Sequence, residues 1–328
     1  EVWHGNKPFS EYRKYFFRYA SEFGFQSFPS VKTLETVTDD PKELNPFSYV
    51  VEKHQRNYGG NGKIAKYMQA AYRYPENFSD FVYASQLLQA DGIRYGVEHY
   101  RRNRGRCMGA IYWQLNDCWP VISWSSIDYY GRWKALHYYA KRFFAPVMLS
   151  CEEQSWMTVE ADMNRQHFEF EKSIRLNVTN ETLDAHRVLV KWAVRKTDAT
   201  ILREEEQWLE VPALSAVWMD KVELPQIDCF NEYVSYEAWE NDQIISQGTV
   251  IFSYPKYFHY LNPGLAVRVD GDEIVVKAEA YAKSVEIRNE NDDLILEDNY
   301  FDMNAGEYRV KILDGKPDGL KVRSVYDI

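Results

Sequence analysis

Three observations predict an α/β segment followed by all-β segments. Up to residue 146, short apolar runs alternate with stretches of helical period. From residue 147 the apolar period drops to two, the spacing of strands with one buried face. Clusters of Asn, Asp and Gly separate these later runs, as turns between antiparallel strands require.

The first strand is read in the aromatic run Tyr15-Phe16-Phe17-Arg18-Tyr19-Ala20, which closes on Ser21-Glu22-Phe23-Gly24. An apolar run stopped by glycine reads as a buried strand reaching its end. A carboxylate there is costly unless it is paired or hydrogen-bonded. Glu22 is therefore either a working group or a structural one, salt-bridged to Arg18 or another cation. Residues 41–58 contain Pro41, Pro46 and a short helix ending near Arg56, with His54 on its surface. Asn57-Tyr58-Gly59-Gly60-Asn61-Gly62 reads as a turn and lacks the Gly and Lys spacing of a phosphate loop. Residues 79–104 form the clearest helix, with Ser79 as cap and Phe81, Ala84, Leu88, Tyr95 and Tyr100 near helical spacing. Within residues 107–124 a strand at Met108–Tyr112 delivers Trp113, Gln114, Asn116, Asp117 and Trp119 to its end. Residues 131–143 read as a helix with Trp133, Leu136, Tyr139 and Ala140 inward, and Ala145-Pro146 closes this part.

Ile174/Leu176/Val178, Val188/Val190/Trp192/Val194 and Val234/Tyr236/Ala238 alternate, which suits an immunoglobulin-like sandwich. Ser253–Lys256 through Asn262-Pro263-Gly264 reads as a linker. Val267/Val269, Asp270-Gly271 and Ile274/Val276/Ala278 then read as a hairpin opening a second small β unit.

Composition narrows the function. With a net charge of −10 and no basic cluster beyond Arg101-Arg102-Asn103-Arg104, a nucleic-acid partner is not expected. That cluster reads as cations at a helix C-terminus, where the dipole favours them. No run of 18 apolar residues suggests a membrane span. The four cysteines, Cys107, Cys118, Cys151 and Cys229, show no metal-ligand spacing, so no metal or cofactor is expected; a Cys107–Cys118 disulfide is one option. Sequons stand at Asn77, Asn177 and Asn180. Aromatic residues make up 16% of the chain, a content that suits stacking on sugar C–H faces as well as core packing.

Three blocks carry a family resemblance: Ser21-Glu22-Phe23-Gly24-Phe25-Gln26-Ser27-Phe28-Pro29, then Trp113-Gln-Leu-Asn-Asp-Cys-Trp-Pro120, then Asp128-Tyr-Tyr-Gly-Arg-Trp-Lys134. In order, wording and spacing they resemble the C-terminal half of family 2 β-mannosidases. The resemblance implies a retaining, exo-acting glycosidase that removes terminal β-D-mannose from β-mannoside oligosaccharides or glycans. It implies that residues 1–146 are the C-terminal part of a (β/α)8 TIM barrel, about strands 7 and 8, since a whole barrel takes roughly 250 residues. Two immunoglobulin-like β-sandwich domains are implied after it, at 147–256 and, smaller, at 257–328.

By the same resemblance Glu22 is the nucleophile. A second carboxyl about 5 Å away protonates the leaving oxygen and later activates water. In the family that acid/base Glu lies well upstream, whereas only Glu1 and Glu11 precede Glu22 here, and Glu11 reads as a solvated helix start. The chain is thus expected to be a fragment whose N-terminal partner domains belong to the same polypeptide, in keeping with a start that has neither Met nor a signal-peptide pattern. Trp113 matches a sugar platform, or else fills the barrel interior. Asn116 and Asp117 bind hydroxyls or hold their loop by Asx-turns. Trp119 walls a subsite or covers the core. Trp3 and His4, where a sixth strand would end, lie near substrate or are structural. The rival readings are another family 2 activity, β-galactosidase or exo-β-glucosaminidase, and a non-catalytic carbohydrate-binding or scaffold fragment.

Overall fold

The structure, a computed structural model, describes residues 2–159 and 169–328; Glu1 lies outside the described residues. The first part runs α1 (Val2–Gly5), β1 (Ala20–Phe23), α2 (Val31–Leu34), α3 (Tyr49–Lys53), α4 (Gly60–Ala71), α5 (Phe78–Arg102), β2 (Ala110–Tyr112) and α6 (Ala135–Phe143). β1 and β2 pair in parallel, Ala20 opposite Ala110 and Phe23 opposite Tyr112, with α5 in the crossover between them. Among the described residues they form a two-stranded sheet and close no barrel.

The next strands are β3 (Val147–Gln154), β4 (Ser173–Asn180), β5 (His186–Lys196), β6 (Ile201–Val211), β7 (Ser215–Trp218), β8 (Val222–Glu223), β9 (Glu232–Glu240) and β10 (Gln243–Ile251). They make two antiparallel sheets, β3-β4-β7 with β8 beside β4, and β10-β9-β5-β6. Leu149, Cys151, Leu176, Val178, Val190, Trp192, Val234 and Phe252 fill the space between them, so the apolar residues of the predicted alternating runs in β4, β5 and β9 are buried.

The last unit comprises β11 (Ala266–Asp270), β12 (Glu273–Ala278), β13 (Ala282–Arg288), β14 (Ile295–Leu296), β15 (Phe301–Met303), β16 (Gly306–Asp314) and β17 (Lys321–Arg323), in sheets β11-β12-β16-β14 and β15-β13-β17. Its opening hairpin is the predicted one: Asp270 faces Glu273 across a two-residue turn whose Gly271 sits at φ +66°.

α5 organises these units. It is buried without a break from Phe81 to Ala90, whereas a surface helix buries a single stripe. On one side Gly92 and Gly96 receive the rings of Phe9 and Phe23; a Cβ on Gly96 would lie 2.7 Å from the Phe23 ring. On another, Tyr83 donates its hydroxyl to the Ser284 carbonyl of β13 at 2.6 Å. Ile274, Val276, Val285, Leu296, Phe301 and Val310 of the last unit join one apolar cluster with α5 and α6.

Several expectations are corrected. The aromatic run Tyr15–Tyr19 is not strand, and Tyr15, Phe16, Phe17 and Tyr19 are exposed. β1 itself exposes Ser21 and Glu22, because the two-stranded sheet has nothing over its open face. Val2–Gly5 is a helical turn rather than a strand end. Asn77, not Ser79, caps α5 by accepting from the Asp80 amide. Residues 60–71 are helical, so the glycine cluster opens a helix after Gly59 at φ +70°. Glu11 is largely buried, paired with Lys14 and accepting from the Tyr15 hydroxyl. Arg101 and Arg102 do lie in the last turn of α5, as read, and are buried there, Arg102 donating to Ser150 Oγ at 3.4 Å and to the Cys151 carbonyl at 3.5 Å in β3. Residues 253–258 are packed rather than a free linker: Ser253, Pro255 and Phe258 are buried. The cysteines are free, with Cys107 buried and Cys118 exposed. Asn177 and Asn180 are buried in β4, which closes two sequons to modification of the folded chain.

The first sandwich is tied to the α/β part by ions. Arg13 donates to the Glu153 carboxylate and to its carbonyl, both at 2.7 Å, and the Tyr95 hydroxyl donates to the same carboxylate. Burial opposes the charge on Glu153, but Arg13, with the hydrogen bond from Tyr95, holds the carboxyl below its ordinary range. Removing one partner of a buried pair leaves the other uncompensated. Glu153→Ala should therefore cost about 3–5 kcal/mol in denaturant unfolding. Because the folded carboxyl is the stronger acid, its contribution is complete above the unfolded value and fades as pH falls through the folded one. Acid titration of wild type should show this loss below about pH 4.5, and the variant should lack it.

Candidate active site

Strand register explains how Glu22 is presented. Between Ala20↔Ala110 and Phe23↔Tyr112, β1 has two residues, Ser21 and Glu22, where β2 has only Ile111. This is a β-bulge, a device that re-aims a side chain at the end of a strand. Phe23 packs edge-on against Tyr100 of α5, and Tyr112 against Phe143 of α6, so both face the helices. Alternation then sends Ile111 and Trp113 to the opposite, open face, where both are exposed, and the bulge leaves Glu22 exposed beside them. Among the described residues the Glu22 carboxylate makes no hydrogen bond or ion pair, so neither Arg18 nor another cation claims it.

Trp113 is held by its backbone. Its amide donates to the Phe23 carbonyl at 2.8 Å, and its ring is 48% exposed. Gly24 is required next to it: a Cβ there would lie 2.4 Å from the Trp113 carbonyl oxygen and 2.9 Å from the Trp124 ring. The Trp113–Gln114 peptide is cis.

The loop beyond Trp113 is organised around Asp117. Its carboxylate accepts from Ser123 Oγ at 2.6 Å, from Gln114 Nε2 at 3.1 Å and from the Ser125 hydroxyl. Of the two roles weighed for Asp117, holding the loop is the one these bonds serve. Asn116 is exposed, pairs backbone to backbone with Ile127, and has no side-chain hydrogen bond among the described residues. Trp119 lies between His54, 4.6 Å from its ring, and Arg56, whose guanidinium sits 5.3 Å over it. The His54 Nδ1–H also donates to the Pro120 carbonyl. His54 thus supports this loop rather than standing free on a helix surface. The pairing is long-range, and no local signal marks it. Trp3 is buried in the core, edge-on to Phe25 at 4.9 Å, with Lys63 over its ring; it lines no open surface. His4 beside it is exposed. Glu22, Trp113 and the Asp117 loop are thus brought together at the strand ends, while Trp3 lies in the core.

Among the described residues no cluster of His, Cys, Asp and Glu could hold a metal ion. No helix there is long and apolar enough to cross a membrane.

Residues 172–257 match the family model of a mannosidase Ig/CBM-like domain, and residues 260–328 that of an Ig-fold domain of mannosidases. β-Mannosidase B of Thermothelomyces thermophilus is 30% identical over 99% of this chain and 41% of its own length. The crystal structure of the β-D-mannosidase of Dictyoglomus thermophilum superposes with a TM-score of 0.84 and 26% identity, over 99% of this chain and 39% of that one. The exo-chitosanase CsxA of Amycolatopsis orientalis, at 15% identity and a TM-score of 0.69, shares the fold over 97% of this chain and 45% of its own. The chain therefore spans about two fifths of the length of these proteins.

The contact between Gly24 and Trp113 is directly testable. Gly24→Ala should force the Trp113 carbonyl away, cost about 1–3 kcal/mol as an overpacked site does, and alter the near-ultraviolet circular dichroism of the tryptophans. Unchanged stability and spectrum would show that the approach is not close.

Proposed function

Because this chain belongs to the β-mannosidase group of glycoside hydrolase family 2, we propose that it carries the nucleophile half of a retaining, exo-acting β-mannosidase site. The observation that carries the reading is the Glu22 carboxylate, unpaired among the described residues and exposed on a bulge beside Trp113 at the ends of two parallel strands. Catalytic groups of barrel enzymes stand at the C-terminal ends of strands. We read β1 and β2 as about the seventh and eighth strands of such a barrel, residues 1–146 as its C-terminal part, and 147–256 and 257–328 as the supporting sandwich domains. The exposed Ile111 side chain on the open face is then surface that the rest of the barrel would cover.

In this mechanism a Glu22 oxygen attacks the anomeric carbon of a terminal β-D-mannoside as a carboxyl from outside these residues protonates the leaving oxygen. Water, activated by that second group, then displaces Glu22 with a second inversion. The Trp113 ring supports the distorted pyranose, and Asn116, whose side chain is uncommitted, hydrogen-bonds a hydroxyl. Trp119, held by His54 and Arg56, would wall the site. Asp117 has its oxygens engaged and works through the loop. Trp3 contributes from the core, and His4 lies at the margin. No cofactor or metal is invoked.

In the full-length protein, Glu22→Ala should lower kcat by several orders of magnitude, and azide should restore turnover with an α-configured product. A β-configured azide would assign Glu22 the acid/base role instead. Trp113→Ala should lower kcat by more than it raises KM, with Tm little changed, because support of a distorted ring strengthens in the transition state. Side-by-side rates on nitrophenyl β-mannoside, β-galactoside and β-glucosaminide test the sugar; a preference for either of the latter two would replace mannose and leave the retaining chemistry in place.

A further inference from the structure

The loops that present Glu22 and Trp113 continue into an antiparallel bridge, Ser27↔Ser123, with the Ser27 amide donating to the Ser123 carbonyl at 3.0 Å. Beneath it lies Lys134, the last residue of the Asp128–Lys134 block, 1% exposed. Its ammonium reaches the carbonyls of both residues, Ser27 at 3.4 Å and Ser123 at 3.5 Å, and makes no ion pair among the described residues.

An ammonium fully removed from water and touching only carbonyls is an expensive choice for packing alone. Burial pushes it down to about 8, opposed by the charges of Asp117 and Asp128. Both counter-charges belong to the site loop. Asp117 holds Ser123 and Ser125, and Asp128 receives the Thr33 hydroxyl and the Arg132 amide. Gln89 extends the same layer, accepting from Ser27 Oγ and donating to the carbonyls of Phe25 and Ser125.

We propose that Lys134 is a positioning residue whose buried ammonium ties the segment after Glu22 to the segment after Trp113, and so sets the distance between nucleophile and platform. The tie acts through two carbonyls of different segments, with Asp117 and Asp128 supplying the balancing charge. The consequence for catalysis rests on the function proposed above; the tie between the loops does not.

Lys134→Met preserves length and apolar volume while removing the charge. Replacing a buried charge by an apolar group is often neutral or stabilising. In the full-length protein this variant should keep or raise Tm while kcat/KM on nitrophenyl β-mannoside falls on the order of 10²-fold, the cost of a small misplacement. Lys134→Arg keeps a charge and donors and should recover activity to within about 10-fold of wild type. A readout free of catalysis is hydrogen exchange at the Ser27 amide, whose protection should drop in Lys134→Met while that of α5 amides stays. Tm and kcat/KM falling together, with α5 protection lost, would make Lys134 a structural residue and overturn the proposal. So would unchanged kinetics and unchanged Ser27 protection. If wild type hydrolyses none of the β-glycosides yet Ser27 protection drops as expected, the proposed function fails and the tie stands.

Discussion

Everything in this fold is arranged around a helix that has almost no free side. α5 meets the parallel strand pair, the first sandwich and the last β unit at once, so most of its polar side chains are bonded inside the protein. Gln86 and Gln89 bond backbone carbonyls of the segment that follows β1, at Phe28 and Phe25. Arg102 reaches Glu98 and Ser150, and Tyr95 reaches Glu153. The glycines of the helix serve the same end by admitting Phe9 and Phe23 where any side chain would collide. The geometry of the strand ends is inherited from this packing.

The site illustrates how hydrogen bonding divides labour between two carboxylates. Asp117 is engaged by two hydroxyls and an amide, all from its own loop. Glu22 has no such partner among the described residues. The difference arises from local backbone form, since a bulge exposes Glu22 and a tight polar loop folds over Asp117.

What the sequence revealed followed from periodicity. The alternating runs became the strands of the first sandwich, the hairpin at Gly271 formed where it was read, and the residues expected to face inward on the long helix are buried. What it concealed was decided by partners distant in sequence. Arg101 and Arg102 stand at the helix C-terminus as read, but nothing nearby announces the sheet that covers them. α4 was missed because two glycines stand in its first turn, where helix propensity is lowest. Glu22 was recognisable by its neighbours in sequence, but its exposure depends on a register shift against β2 that no single strand discloses. The contact of His54 with Trp119, rings tilted at 32°, joins segments distant in sequence and has no local signature.

The shared apolar cluster also bears on synthesis. α5 is translated well before the residues that complete its covering, from Ile274 to Val325. Domains commonly fold in order as they are made, but this core cannot close until the last β unit has been made. The nascent protein therefore passes through a long interval with a large apolar helix surface uncovered. Its yield in the cell depends on what shields that surface during elongation as much as on the stability of the finished fold.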